Sequence, residues 1–140
     1  MNAKEDSKPK PQPWQLEGIA AALGDGHSRV KEYAFKQLAE YDLQNLKALG
    51  KKLEDIAQKS AKVLKDDKAD ANLRGYAASA LSNFGTAGAK YIPDILTILK
   101  DDKADANLRG YAASALSNFG TAGAKYIPDI LTILKDDKAD

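Results

Sequence analysis

The stretch Asp66–Lys100, DDKADANLRGYAASALSNFGTAGAKYIPDILTILK, decides the fold: it recurs unchanged as Asp101–Lys135 and begins a third time at Asp136, for five residues. A tandem unit of 35 residues marks a repeat stack, because one such unit cannot bury its apolar face alone and covers it with its neighbours. Apolar residues recur at helical spacing twice within the unit. Leu73, Ala77, Ala80, Leu81 and Phe84 share one face of a helix that Asp70 is placed to cap and that runs to about Asn83. Gly85 suits the left-handed residue that ends a helix. Thr86 is placed to cap the next helix, whose stripe is Ile92, Ile95, Leu96 and Leu99. Pro93 inside that stripe predicts either a kink or a helix that starts at Ile92. The unit therefore reads as two helices and no strand.

The preceding residues read as a worn copy of the same unit. Val30, Tyr33, Ala34, Leu38 and Tyr41 match Leu73, Tyr76, Ala77, Leu81 and Phe84 at a constant offset of 43. The excess over the repeat period is an insertion, placed at Asp42–Lys52, where Leu43, Leu46 and Leu49 suggest a short helix ended near Gly50. Before it, Leu16, Ile19, Ala20 and Leu23 form one face of a helix over Trp14–Leu23, and Gly24-Asp25-Gly26 breaks that helix. Ser28 is placed to cap a second helix to Tyr41. After the insertion, Leu53, Ile56, Ala57, Ser60 and Leu64 form the stripe of a helix over Leu53–Lys65. Residues 1–13, which hold three of the five prolines and almost no apolar side chain, read as a disordered tail. The organisation predicted is a tail (1–13), a degenerate N-terminal capping repeat with an inserted helix (14–65), two full repeats (66–100 and 101–135) and the start of a truncated third (136–140). The fold class is all-α, a right-handed α-solenoid of stacked helix pairs with about seven or eight helices.

The run YIPDILTILKDD followed by ANLRGYAASALSNFG resembles HEAT repeats: a helix, a short acidic loop, then a helix with an aliphatic–arginine pair in its first turn. Leu73-Arg74 and Leu108-Arg109 match that pair, and Pro93 and Pro128 match the proline often found in the family's first helix. Leu23–Lys31, LGDGHSRVK, has the family's compact spacing from an aspartate to a basic residue. The resemblance covers about residues 14–135 and is to short bacterial units, including cyanobacterial ones. It implies a superhelix whose second helices line the inner surface. It also implies aspartate–arginine pairs linking neighbouring units. DDKADANLR is two residues longer than the family spacing between its first aspartate and its arginine, a departure from the pattern at Asp66 and Arg74 for which Asp67 is the substitute partner. The Trp-x-x-Leu-Gly-x-x-Tyr pattern of tetratricopeptide repeats is missing.

Composition removes several kinds of chemistry. The net charge is +1 and each full repeat is neutral, so no clustered positive face marks a nucleic-acid partner. Cysteine is absent and His27 is the only histidine, a solvated turn residue, so neither residue type supplies a metal cluster. The acidic loop DDKAD lacks the glycine and terminal glutamate of a calcium loop, and Asp70 reads as a helix cap with Asp66 and Asp67 in solvent. GTAGAK is not a phosphate loop, and Ser79 and Ser82 have no histidine to activate them. HEAT-like proteins include a di-iron hydroxylase that uses His-Glu pairs, of which this chain has none, and bilin lyases, for which no catalytic position maps here. No catalytic, cofactor or metal residue is assigned. The N-terminal residues lack the apolar core of a secretory signal, and no apolar run approaches the roughly 18 residues of a membrane span. A soluble cytoplasmic protein is expected.

One constellation points to binding. Asn72, Tyr76, Ser79 and Asn83 are spaced i, i+4, i+7 and i+11, opposite the buried stripe; Asn107, Tyr111, Ser114 and Asn118 repeat them, and Tyr33 and Lys36 extend the series into the cap. Tyrosines among small polar residues suit protein recognition. The alternative is that Tyr76 and Tyr111 are spacers packed between units. A second surface is the last helix, where Ile127, Ile130, Leu131 and Leu134 lack the following helix that would cover them, at about 1.5–3 kcal/mol for each buried aliphatic side chain. They predict end-to-end association with another copy, or fraying. The leading expectation is a non-enzymatic scaffold for a protein or peptide partner; the second is a self-assembling structural module; a bilin-lyase-like enzyme is a distant third. Identity of the copies at exposed positions, which packing does not require, points to recent duplication, homogenisation or an engineered or excised array.

Overall fold

The computed structural model describes residues 8–43 and 50–120, together with Ala124, Pro128 and Leu131. Among these residues the chain is all-helical, with seven helices and no strand: α1 Pro13–Leu23, α2 Ser28–Leu38, α3 Gly50–Lys65, α4 Ala71–Ser82, α5 Thr86–Ala89, α6 Ile92–Lys100 and α7 Ala106–Asn118. α1 packs on α2 and α3, α2 on α4, α3 on α4 and α6, and α6 on α7; the most extensive contact is between α4 and α7. None of the described helices is long and apolar enough to cross a membrane.

Most predicted stripes form the core. Leu53, Ile56, Ala57, Ser60 and Leu64 of α3 are all buried, as are Leu73, Ala77, Ala80, Leu81 and Phe84 in the α4 region and Ile92, Ile95, Leu96 and Leu99 of α6. Ser60 is tolerated there because its hydroxyl donates to the Ile56 carbonyl at 2.8 Å, and among the described residues no buried side-chain polar atom lacks a partner. Pro93 produces no kink: α6 starts at Ile92, so the proline occupies the first turn, where no intrahelical donor is lost.

Several boundaries differ from the sequence reading. His27, not Ser28, is the N-cap of α2, and that helix ends at Leu38. Its inward face is Ala34, Phe35 and Leu38, whereas Val30 is 37% exposed. Gly50 is the first described residue of α3, and residues 44–49 of the expected insertion, with the short helix expected there, lie outside the described residues. Thr86 does not cap a long helix; it begins the single turn α5, with Gly85 as N-cap at φ 59°, a conformation glycine adopts without strain. The first full unit, 66–100, thus contains three helices, not two. The second half of the expected tail is tied down: Pro11 is buried, the Pro9 carbonyl accepts from the Asp42 amide at 2.8 Å, and Lys8 Nζ donates to the Ala39 carbonyl at 2.8 Å. Prolines have little backbone freedom to lose on ordering, which makes such anchoring inexpensive.

The acidic loop and the arginine join successive helices. Asp70 accepts from the amides of Asn72 (3.0 Å) and Leu73 (3.2 Å), and Asp105 from that of Leu108 at 3.1 Å. Asp66 folds the loop by accepting from the Lys68 amide at 3.0 Å. Arg74 does not make the aspartate pair that the resemblance implied. Its Nε donates to the Leu64 carbonyl at the end of α3, at 2.8 Å, and Arg109 repeats this on the Leu99 carbonyl at the end of α6, through Nε at 3.1 Å and Nη2 at 2.9 Å. The longer loop carries the arginine past the aspartates to the helix end, where free carbonyls and the negative end of the dipole favour a cation.

One glycine sets the closest approach. A Cβ on Gly75 would run into the Tyr111 ring, whereas one on Gly110, the same residue of the next unit, would meet nothing within 4 Å. Gly75→Ala is therefore expected to destabilise the protein by about 1–3 kcal/mol through overpacking, and Gly110→Ala to stabilise it by about 0.5–1 kcal/mol through helix propensity. Urea titrations of the two variants check this; shifts of the same sign would rule out the seat.

Candidate functional site

Gly75 lets α7 close on α4, and six of the expected ladder residues, Tyr76, Ser79, Asn83, Tyr111, Ser114 and Asn118, meet along that seam. The Tyr111 ring lies edge-on to Tyr76, with centroids 5.8 Å apart and planes at 80°, a favourable arrangement of ring quadrupoles. Two turns further on, Asn118 Nδ2 donates to Ser82 Oγ and to Asn83 Oδ1, each at 3.0 Å. Between the rings and this amide lies an open groove of about 420 Å³ lined by Ser79, Ser82, Asn83, Ser114, Ser117, Asn118 and Ala115. Hydroxyl and amide groups there present both donors and acceptors, a match for a peptide main chain.

The seam between α2 and α4 is different. Glu32 stands on α2 where the offset of 43 would place the counterpart of Gly75, so no glycine seat admits Tyr76 as Gly75 admits Tyr111. Space remains: a cavity of about 220 Å³ walled by Phe35, Leu38, Ala39, Leu43 and Ala80, with Lys36, Tyr76, Ser79 and Asn83 as its polar lining. Glu32 is ion-paired to Lys36 at 3.0 Å. The hydrogen bond from Glu32, reinforced by its charge, holds the Lys36 ammonium above the usual lysine range, so Lys36 is a cation at the rim at neutral pH. Apolar walls with a few polar groups are the usual make-up of a socket for an apolar side chain or small ligand.

Of the expected ladder, Lys36, Tyr76, Ser79 and Asn83 converge on the apolar socket, and Ser79, Asn83, Ser114 and Asn118 on the polar groove. Ser79 and Asn83 belong to both and make the two continuous. Asn72 and Asn107 are exposed in the first turns of α4 and α7 and line neither. Tyr33 is 64% exposed on the outer face of α2 and also lines neither. Tyr76 and Tyr111 are half-buried and pack on each other. Sequence reasoning missed the socket walls Phe35, Ala39 and Leu43, for which helical periodicity gave no sign, and the groove residues Ser82 and Ser117, whose i+3 spacing from Ser79 and Ser114 was the available signal.

Other sites considered in the sequence resolve into local structure. His27 is exposed; its backbone amide and Nδ1 both lie 2.8 Å from Asp25 Oδ1, and the amide first, then the ring, hold the Asp25 carboxyl below its ordinary range. Among the described residues no three His, Cys, Asp or Glu side chains converge as metal ligands. Of the end surface, Ile127, Ile130 and Leu134 lie outside the described residues, and Leu131 is 53% exposed. No family model, curated protein or solved structure compared with the chain matches it.

The three tyrosines at matching positions differ in surroundings, which separates packing from display. Tyr111→Ala is expected to lower unfolding stability by about 2 kcal/mol, roughly half the cost of deleting a fully buried ring. Tyr33→Ala is expected to change it by no more than about 0.5 kcal/mol. Chemical denaturation of both variants gives the comparison.

Proposed function

We propose that the chain is a non-enzymatic interaction scaffold, a right-handed α-solenoid of HEAT-like helix pairs that holds an extended segment of a protein partner. The observation that carries this reading is the continuity of the α2–α4 socket with the α4–α7 groove through Ser79 and Asn83. One apolar side chain of the partner enters the socket beside Tyr76, and its main chain continues along the serines and asparagines of the groove. Lys36 at the rim favours an acidic residue next to the anchor. The solenoid reading is supported by the order of helix contacts, by Pro93 in the first turn of α6 and by the arginine that begins each second helix. The identical ladders of the two repeats need not read identical residues, because the cap makes one seam apolar while the other is polar. A cytoplasmic setting fits a chain without cysteine.

A second reading, end-to-end self-assembly, is favoured by one observation: Leu131 is 53% exposed whereas Leu96, its counterpart in the preceding copy, is 6% exposed. Selection from a peptide display library tests the first reading. Recovered peptides are expected to share a bulky apolar anchor. Ala39→Trp, which fills the socket from its exposed rim, is expected to weaken them at least about tenfold, while Asn72→Ala outside both cavities leaves them unchanged. Undiminished affinity in Ala39→Trp would overturn the socket.

A further inference from the structure

We infer that α7 presents an open seat, centred on Gly110, for Tyr33 of a second copy of this chain. The inference rests on the reading of end-to-end association and assigns it a surface and a partner residue. α4 and α7 have the same sequence from Ala71 and Ala106 onward, so a difference in burial between them reports position alone. Gly75 and Ser82 are buried under α7, and Ala78 is completely so; Gly110 and Ser117 are exposed and Ala113 is partly exposed. The face of α4 that receives a helix is thus repeated on α7 without one.

What α4 receives defines what fits α7: a helix presenting a tyrosine, with a hydrogen-bonding side chain two turns later. Tyr111 fills the seat at Gly75 and Asn118 reaches Ser82. At the opposite end of the molecule, α2 and the turn that follows it have these features unused. Tyr33 occupies the position matching Tyr76 and Tyr111 and is 64% exposed, next to Val30, and Glu40 occupies the position matching Asn118 and is exposed. A Glu40 carboxylate accepts from the Ser117 hydroxyl, a bond equivalent in place to that of Asn118 with Ser82. α4 lies between α2 and α7, so the knob and the seat are on opposite ends and cannot meet within one copy. Their contact is heterologous and joins copies head to tail. It continues the α4–α7 interface already present, with α2 of the next copy in the role of α7.

Two exposed-site variants test this: Tyr33→Asp removes the knob and Gly110→Leu fills the seat. Circular dichroism first checks that each keeps the helix content of the unaltered chain. Sedimentation equilibrium from about 1 µM to about 1 mM, the range of weak interfaces, is then expected to show the unaltered chain rising above 15.1 kDa while each variant alone stays at that mass. An equimolar mixture of the variants is expected to form a 1:1 pair of twice that mass and grow no further, because one retains the seat and the other the knob. Growth of the unaltered chain and of both variants alike would overturn the Tyr33–Gly110 contact while leaving end-to-end association standing. A mixture that remains monomeric would overturn the head-to-tail pairing. An unaltered chain that is monomeric throughout would overturn both the contact and the reading on which it rests.

Discussion

The Tyr111 ring against the bare backbone of Gly75 is the contact on which the described structure depends most. Any side chain at position 75 would hold α7 away from α4. With none, the helices close, the Tyr76 and Tyr111 rings meet, and Asn118 comes within reach of Ser82 and Asn83. At the α2 seam, where Glu32 stands at the matching position, the helices leave an apolar socket. The two seams thus differ in character, an open polar groove between α4 and α7 and an apolar socket between α2 and α4.

The arginines extend this order to the other row of helices. Arg74 and Arg109 each tie the start of one helix to the last carbonyls of the helix before it, across the DDKAD loop. The aspartates serve the loop itself, Asp66 as a turn and Asp70 as a cap. Successive helices are thus tied at the loop by hydrogen bonds, and tyrosine packing joins α4 to α7 along the seam.

Much of the fold was legible because burial follows helical period. The stripes of α3, α4 and α6 could be read residue by residue, as could the Asp70 cap, while for Pro93 the start at Ile92 was one of two readings. What failed was information that lies between helices. Val30 and Phe35 are both apolar and fall on different faces of α2; only the positions of α1 and α4, which pack on α2, decide that Phe35 goes in and Val30 stays out. Thr86 has a capping side chain, but the tight turn after Gly85 makes it the first residue of a single helical turn. The candidate site was legible as a set of residues and not as a grouping. Tyr76, Ser79 and Asn83 were drawn as a ladder along one helix, whereas the structure groups them across seams with Lys36 on one side and Ser114 and Asn118 on the other. The role of Gly75 had no sequence signature, because glycine inside a helix looks the same whether a ring lies on it or solvent does.

Two identical helices in unequal surroundings offer the most direct measurement. Amide hydrogen exchange in α4 and α7, resolved by NMR at concentrations where the chain is monomeric, compares segments whose intrinsic exchange rates are equal. Packing of α4 between α2 and α7, with α7 covered on one side of its row, predicts amides in α4 that exchange at least about tenfold more slowly than their counterparts in α7. Equal protection at matching positions would contradict it, because the Tyr111–Gly75 contact would then confer nothing on α4 that α7 lacks.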